Sequence, residues 1–194
     1  MRSRLLAAVA AGMAPLVGLA GCATSPTTGD SAAHASAPAA SPAVNPHGIG
    51  PIDPPVPGAP VLTVHGGSTP LALTLDTLNA LGSRTLTLDE PFVKRRETYS
   101  GVPLVAVLGE AGIPDTATID TIGLDGYHYV STAKPMIESQ ALIATDRGGE
   151  PIPYDQGGPI RLVYPDGTPL SSVLDAWNWS LDVIAVKTPI GPGS

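Results

Sequence analysis

From Pro60 onward every apolar run in the chain is cut within a few residues by Gly, Pro or Asp. Proline removes a backbone donor and fixes φ, and glycine weakens the interior of helices and strands alike. With 22 of each in 194 residues, only short elements can form. "VLTVHG" (Val61 to Gly66) and "TLTLDEPFV" (Thr85 to Val93) alternate apolar and polar residues as strands do. "LALTL", "ALIATD", "PIRLVYP" and "SLDVIAV" are further strand candidates, and "ATIDTIGLDGYHYVST" is a hairpin about Asp125-Gly126. Helical spacing is confined to "LDTLNALG", "PLVAVLGEAG" starting at Pro103, "KPMIESQ" and "SSVLDAWNW". Strands outnumber helices without a βαβ rhythm or an internal repeat. The expected fold class is α+β, with mainly antiparallel sheets and short helices.

The first 58 residues are of another kind. Arg2 and Arg4 precede an apolar, small-residue run from Leu5 to Leu19, which closes on Leu19-Ala20-Gly21-Cys22. The run is too short for a membrane span and reads as a secretory signal. A cysteine directly after Leu-Ala-Gly resembles the bacterial lipobox, which implies that Cys22, the only cysteine of the chain, is acylated and becomes the mature N-terminus. Residues 1–21 are therefore assigned to a lipoprotein signal peptide and 22–58 to a lipidated tether of Ala, Ser, Thr, Pro and Gly, a composition that cannot bury a core. About 35 residues of flexible coil reach on the order of 30 Å. The folded domain is expected over 59–188, with a tail at 189–194. His34 and His47 lie in the tether and read as solvated.

Charge narrows the partners. Without the signal peptide the chain carries eight Lys and Arg against 17 Asp and Glu, a net charge of −9. Such a surface repels nucleic acid and anionic lipid headgroups. The expected membrane contact is thus the acyl group on Cys22, on the extracytoplasmic face of the cell membrane, and no nucleic-acid partner is expected. A lone cysteine also excludes intrachain disulfides and cysteine-based zinc sites.

Five stretches stand in a telling order: "TLTLDEPF" followed by "YSGVPLVAVLGEAGI", then "LDGYHYVST", then "GGEPIPYDQGGPIRLVYP", and last "WNWSLDVIAV". This succession resembles the molybdopterin-binding domain of the sulfite oxidase family, in particular its small, exported, single-domain members. The resemblance covers roughly Val61 to Lys187 and implies that family's fold. In the cofactor-bearing enzymes, the stretch between the strand and the "GVPL" turn supplies a cysteine thiolate to molybdenum. Here it runs from Pro91 to Tyr99 without a cysteine. Those enzymes also grip the pterin phosphate with a Gly- and Lys-rich segment after the "RLVYP"-like strand, where this chain has Asp166-Gly167-Thr168-Pro169. Arg2-Ser3-Arg4 is not a twin arginine, so the expected export route carries the chain unfolded and without cofactor.

The resemblance leaves two functions of different classes. One is a lipid-anchored binding or accessory module with no catalytic residues, no metal and no cofactor. The other is a molybdopterin-dependent oxidoreductase with atypical ligation. The candidate binding residues are the same for both. Lys94, Arg95 and Arg96 place three cations together in an acidic chain, in what reads as a loop facing Glu90 and Glu97. Arg161 sits inside an apolar strand, where a guanidinium needs an anionic or carbonyl partner. With Tyr99 and Tyr127 these residues are expected to border one cleft for a small anion or an acidic protein partner.

Other motifs read as structural. "HGGS" (His65 to Ser68) is similar to a lipase oxyanion loop, but no G-x-S-x-G elbow accompanies it, and it is read as a turn. His65 and His128, even with Asp125, have no metal-ligand spacing. Trp177 and Trp179 are expected to pack the last helix. The sequon Asn178-Trp179-Ser180 carries no weight in a bacterial lipoprotein.

Overall fold

The computed structural model describes residues 58–187, Val56, and the backbone of two short strands, β1 (Ala43–Val44) and β2 (Pro51–Ile52). The expected signal peptide, Cys22, most of the expected tether and the tail at 189–194 lie outside the described residues.

Ten further strands and three helices follow. They are β3 (Leu62–His65), β4 (Leu71–Leu73), α1 (Leu75–Asn79), β5 (Arg84–Glu90), β6 (Arg95–Pro103), α2 (Leu104–Glu110), β7 (Thr118–Gly123), β8 (His128–Thr132), α3 (Ala133–Glu138), β9 (Leu142–Arg147), β10 (Glu150–Pro151), β11 (Arg161–Val163) and β12 (Leu181–Val186). One five-stranded sheet runs β4-β3-β12-β7-β8, antiparallel except for the parallel pair β3–β12. The other runs β10-β9-β6-β5, with β11 also paired to β9, and is antiparallel throughout. The architecture is the α+β class expected from the punctuation. No helix among the described residues is long and apolar enough to cross a membrane.

Local chemistry explains the element ends. Thr74 caps α1 by accepting a hydrogen bond from Thr77 N at 3.2 Å. Gly148 and Gly149 both have positive φ (65° and 88°) and turn β9 into β10 opposite the Arg147–Glu150 pair, as a two-residue hairpin requires. Gly126 (φ 77°) serves the β7–β8 turn predicted at Asp125-Gly126. One buried cluster takes Leu62 and Val64 of β3, Ile119 of β7 and Ile184 of β12 together with Leu88 of β5, Val102 of β6, Ile143 of β9 and Leu162 of β11. Leu78, Val107 and Met136 add one helix each to the same core.

Two expectations fail. "SSVLDAWNW" is not a helix; only Leu174–Ala176 forms a single 3-10 turn. Its helical spacing has no buried face behind it, since Val173 and Leu174 are exposed while Ala176 to Ser180 are all buried. The backbone of that buried stretch serves the sheets instead, with Leu162 N donating to Asn178 O and Leu181 N to Ile160 O. Trp177 and Trp179 are therefore core residues of an irregular segment, not of a helix. The basic stretch is also not a loop. The β5 strand stops at Glu90, a turn spans residues 91–94, and Arg95 and Arg96 already belong to β6, opposite Glu90 and Asp89. Lys94 closes the turn with φ 54° and its N–H on the Glu90 carbonyl at 2.8 Å.

Candidate functional site

The β5–β6 turn and β11 meet at a buried ion pair. Alternation along β5 puts Leu86, Leu88 and Glu90 on one face, so Glu90 points inward with the leucines. Its side chain is inaccessible, as is all but 2 % of that of Arg161, and Arg161 Nη2 donates to Glu90 Oε1 at 2.9 Å. The other carboxylate oxygen, Oε2, accepts from Phe92 N at 2.9 Å and Val93 N at 2.6 Å, which holds the turn on the carboxylate. Arg161 Nη1 donates to Gln156 O at 3.1 Å. The anionic and carbonyl partners required of a buried guanidinium are thus Glu90 and Gln156.

Aromatic rings enclose the pair. The guanidinium carbon lies 4.4 Å from the centroid of the Trp179 ring, 5.9 Å from Phe92 and 5.8 Å from Tyr99. Phe92 makes edge contacts to Trp179 at 5.1 Å and Trp177 at 6.5 Å, and Tyr164 meets Trp177 at 5.8 Å. Burial pushes the guanidinium down from its usual range, opposed by Tyr99 and Glu90. Burial likewise raises the Tyr99 hydroxyl, against the pull of Arg161. Among the described residues, Tyr99 Oη, Tyr164 Oη, Trp177 Nε1 and Arg161 Nε are buried with no hydrogen-bond partner.

The three cations lie on the outside. Arg95 pairs with Glu97. Arg96 Nη1 bridges Asp89 at 3.1 Å and Asp166 at 3.0 Å, and its Nη2 donates to Thr87 O at 3.0 Å. The hydrogen bond that Arg96 donates to Asp166 holds its exposed guanidinium above the usual range, helped by Asp89. Asp166 also accepts from Asp89 N at 2.8 Å. Asp166, after β11, thus takes up one backbone amide at the end of β5. Lys94 is exposed and makes no ion pair with a described residue. The structure brings Arg161, Tyr99 and the basic turn together, but with Arg161 and Tyr99 beneath the surface that carries the cations. Tyr127 stands on the other sheet's β7–β8 turn, its hydroxyl donating to Asp175 O at 3.1 Å. A groove of about 440 Å³ is lined by Val61, Thr74, Leu75, Asp76 and Pro159 among others, and by none of these six residues.

Sequence reasoning overlooked Glu90, taking it for a surface neighbour of the cations, although the period of two along "TLTLDE" places it on the leucine face. Phe92 and Trp179 carried no signal beyond being aromatic. The remaining motifs fall outside this cluster. His65 ends β3 and is exposed, and "HGGS" continues as a bend whose Thr69 N bonds Ala111 O. His128 Nδ1 lies 3.0 and 3.2 Å from the two carboxylate oxygens of Asp120, which Lys187 also approaches at 3.1 Å. Asn178 is buried and donates to Thr121 O at 2.7 Å. No three His, Cys, Asp or Glu side chains among the described residues converge as metal ligands.

Residues 54–174 match the family model described as "Oxidoreductase molybdopterin binding domain", more than half of the chain. The chain belongs to this family. Its fold is also similar to that of the sulfane dehydrogenase SoxCD from Paracoccus pantotrophus, with a TM-score of 0.52 at 19% sequence identity. That similarity covers 64% of this chain and 37% of the SoxCD chain, so this molybdopterin-binding-type domain spans well under half the length of that relative. No curated protein matches the chain. Set against the family's cofactor, the donor set of this member is unusual. Molybdenum takes soft thiolate ligands, and the described residues contain no cysteine. The stretch that would carry one, Pro91 to Tyr99, is a turn followed by the start of β6. Glu90 just before it already binds Arg161, and the Phe92 ring lies 5.9 Å from the guanidinium carbon. These residues do not fit a thiolate-bound molybdenum cofactor.

Proposed function

We propose that the protein is a lipid-anchored, extracytoplasmic binding or accessory module that keeps the molybdopterin-binding fold without its molybdenum chemistry. The observation that carries this reading is the buried Glu90–Arg161 pair, inaccessible at both ends, with Phe92 and Trp179 packed on it. A guanidinium already compensated by the protein's own carboxylate is not free to hold an external cofactor. Cys22, diacylated as the lipobox implies, and the tether would keep the module at the membrane, since stable anchoring takes more than one acyl chain and the acidic surface adds no attraction of its own. Its partner would be an acidic protein rather than a small anion, docking on the exposed Lys94 and Arg95 beside the turn. Each such contact is weak and screened by salt. Replacing Lys94, Arg95 and Arg96 together by Ala should abolish such docking, and unchanged partner capture would remove the surface from consideration.

One experiment tests the central claim. Protein purified from its native host is expected to contain far less than one molybdenum per chain and no pterin. Cys22→Ala protein is expected to leave the membrane fraction. The second reading, an oxidoreductase with atypical ligation, draws support from the unpartnered Tyr99 Oη, Tyr164 Oη and Arg161 Nε. Near-stoichiometric molybdenum and pterin in the host protein would establish that reading in place of ours.

A further inference from the structure

We infer that Glu90 is a built-in anion occupying a carboxylate-recognition site centred on Arg161, a site that accepts a small free monocarboxylate once the Glu90 side chain is removed. This rests on the reading above, that the protein's own side chains close the position over Arg161. Arginine recognises a carboxylate best side-on, with two parallel N–H bonds. Glu90 supplies half of that arrangement. It meets Arg161 through Oε1 alone, because Oε2 is taken by Phe92 N and Val93 N of its own turn. Arg161 Nε is left buried without an acceptor, and so is the nearby Tyr99 hydroxyl. The donor set therefore exceeds what the tethered carboxylate uses.

The surroundings make an anion obligatory. Trp179, Phe92 and Tyr99 present ring carbon around the guanidinium, and an uncompensated charge among them is costly. The Trp179 ring, 4.4 Å from the guanidinium carbon, also restricts the planar fork, so less freedom is lost when a carboxylate binds it. Glu90→Ala removes one methylene and one carboxylate, which is the outline of acetate. Free acetate is not held by the turn and can satisfy Nη2 and Nε together, with the Phe92 and Val93 amides as further donors.

The test is chemical rescue on recombinant full-length protein, read as the urea midpoint of unfolding in acetate against equal sodium chloride and against acetamide. The Glu90→Ala variant is expected to gain stability saturably with acetate, the folded-to-unfolded ratio rising about 11-fold at ten times the dissociation constant. Wild type and the Glu90→Ala/Arg161→Met double variant should gain nothing beyond the chloride effect. If Glu90→Ala does not fold in chloride, refolding yield replaces the midpoint, with folding expected in acetate and not in acetamide. No acetate-specific gain in midpoint or yield, or an equal gain in the double variant, overturns the inference. The metal content of host protein is independent of this result, so failure here and failure of the accessory-module reading are told apart.

Discussion

Gly101, the glycine of the "GVPL" turn motif, is a packing residue, and its replacement by Ala is expected to cost the fold a large part of its stability. Gly101 lies in β6 opposite Ala144 of β9, next to the register shift between Ser100 and Gly101. A Cβ built there stands 2.7 Å from Ala144 Cα and 2.8 Å from the Ile143 carbonyl carbon, and nearer still to that carbonyl's oxygen. Ordinary contact begins at 3.4 Å, and all of these are backbone atoms that cannot rotate away. The strands must separate, at an overpacking cost of about 1–3 kcal/mol. Weakening one or two ladder hydrogen bonds adds about 0.5–1.5 kcal/mol each. A total of roughly 1.5–6 kcal/mol is expected, against about 5–15 kcal/mol for a whole domain. Gly109 in α2 is the control, because a Cβ there meets nothing within 4 Å. Gly109→Ala should stabilise by about 0.5–1 kcal/mol through helix propensity alone. Urea unfolding with matched m-values measures both. A Gly101→Ala protein within 1 kcal/mol of wild type (roughly the low end of the overpacking cost) would refute the steric argument.

Arg161→Met leaves the Glu90 carboxylate buried with two amide donors and no counter-charge, and should destabilise by about 3–5 kcal/mol. Adding Glu90→Gln should recover part of that loss in urea unfolding, and a double variant no better than the single would contradict the charge argument. Alkaline pH should unfold the protein. Burial pushes the Tyr154 hydroxyl up to about 12 and also raises Tyr99, Tyr127 and Tyr164. The folded chain therefore holds protons that the unfolded chain releases near pH 10, so this stability is complete below about 10 and is lost as pH rises through the folded values. Urea midpoints across that range check the sign, and a midpoint that stays flat or rises would contradict it.

The amino-acid order by itself determined the class of fold. Period-two alternation in β3 and β5 and the glycine turns at Gly126 and Gly148-Gly149 are local matters, settled by side-chain direction and by φ. The order of the motifs also carried the family, because four of the five quoted stretches follow one another within residues 54–174, which match its model. The candidate site was half legible. A guanidinium inside "PIRLVYP" announces that it needs a partner, but several carboxylates and carbonyls could have supplied one. Only the pairing of β11 with β9, of β9 with β6 and of β6 with β5 brings Glu90 to Arg161 across 71 residues. The same pairing puts Arg95 and Arg96 on a strand, beside Glu97 and beside Asp89 and Asp166, and leaves Lys94 in the turn. The helix read at "SSVLDAWNW" failed for the same reason. Spacing shows which residues are apolar, whereas burial of Trp177 and Trp179 depends on Phe92 and Tyr164, which arrive from distant strands and turns. Local conformation follows from a residue and its neighbours, but a buried charge finds its counter-charge only when the sheets are assembled.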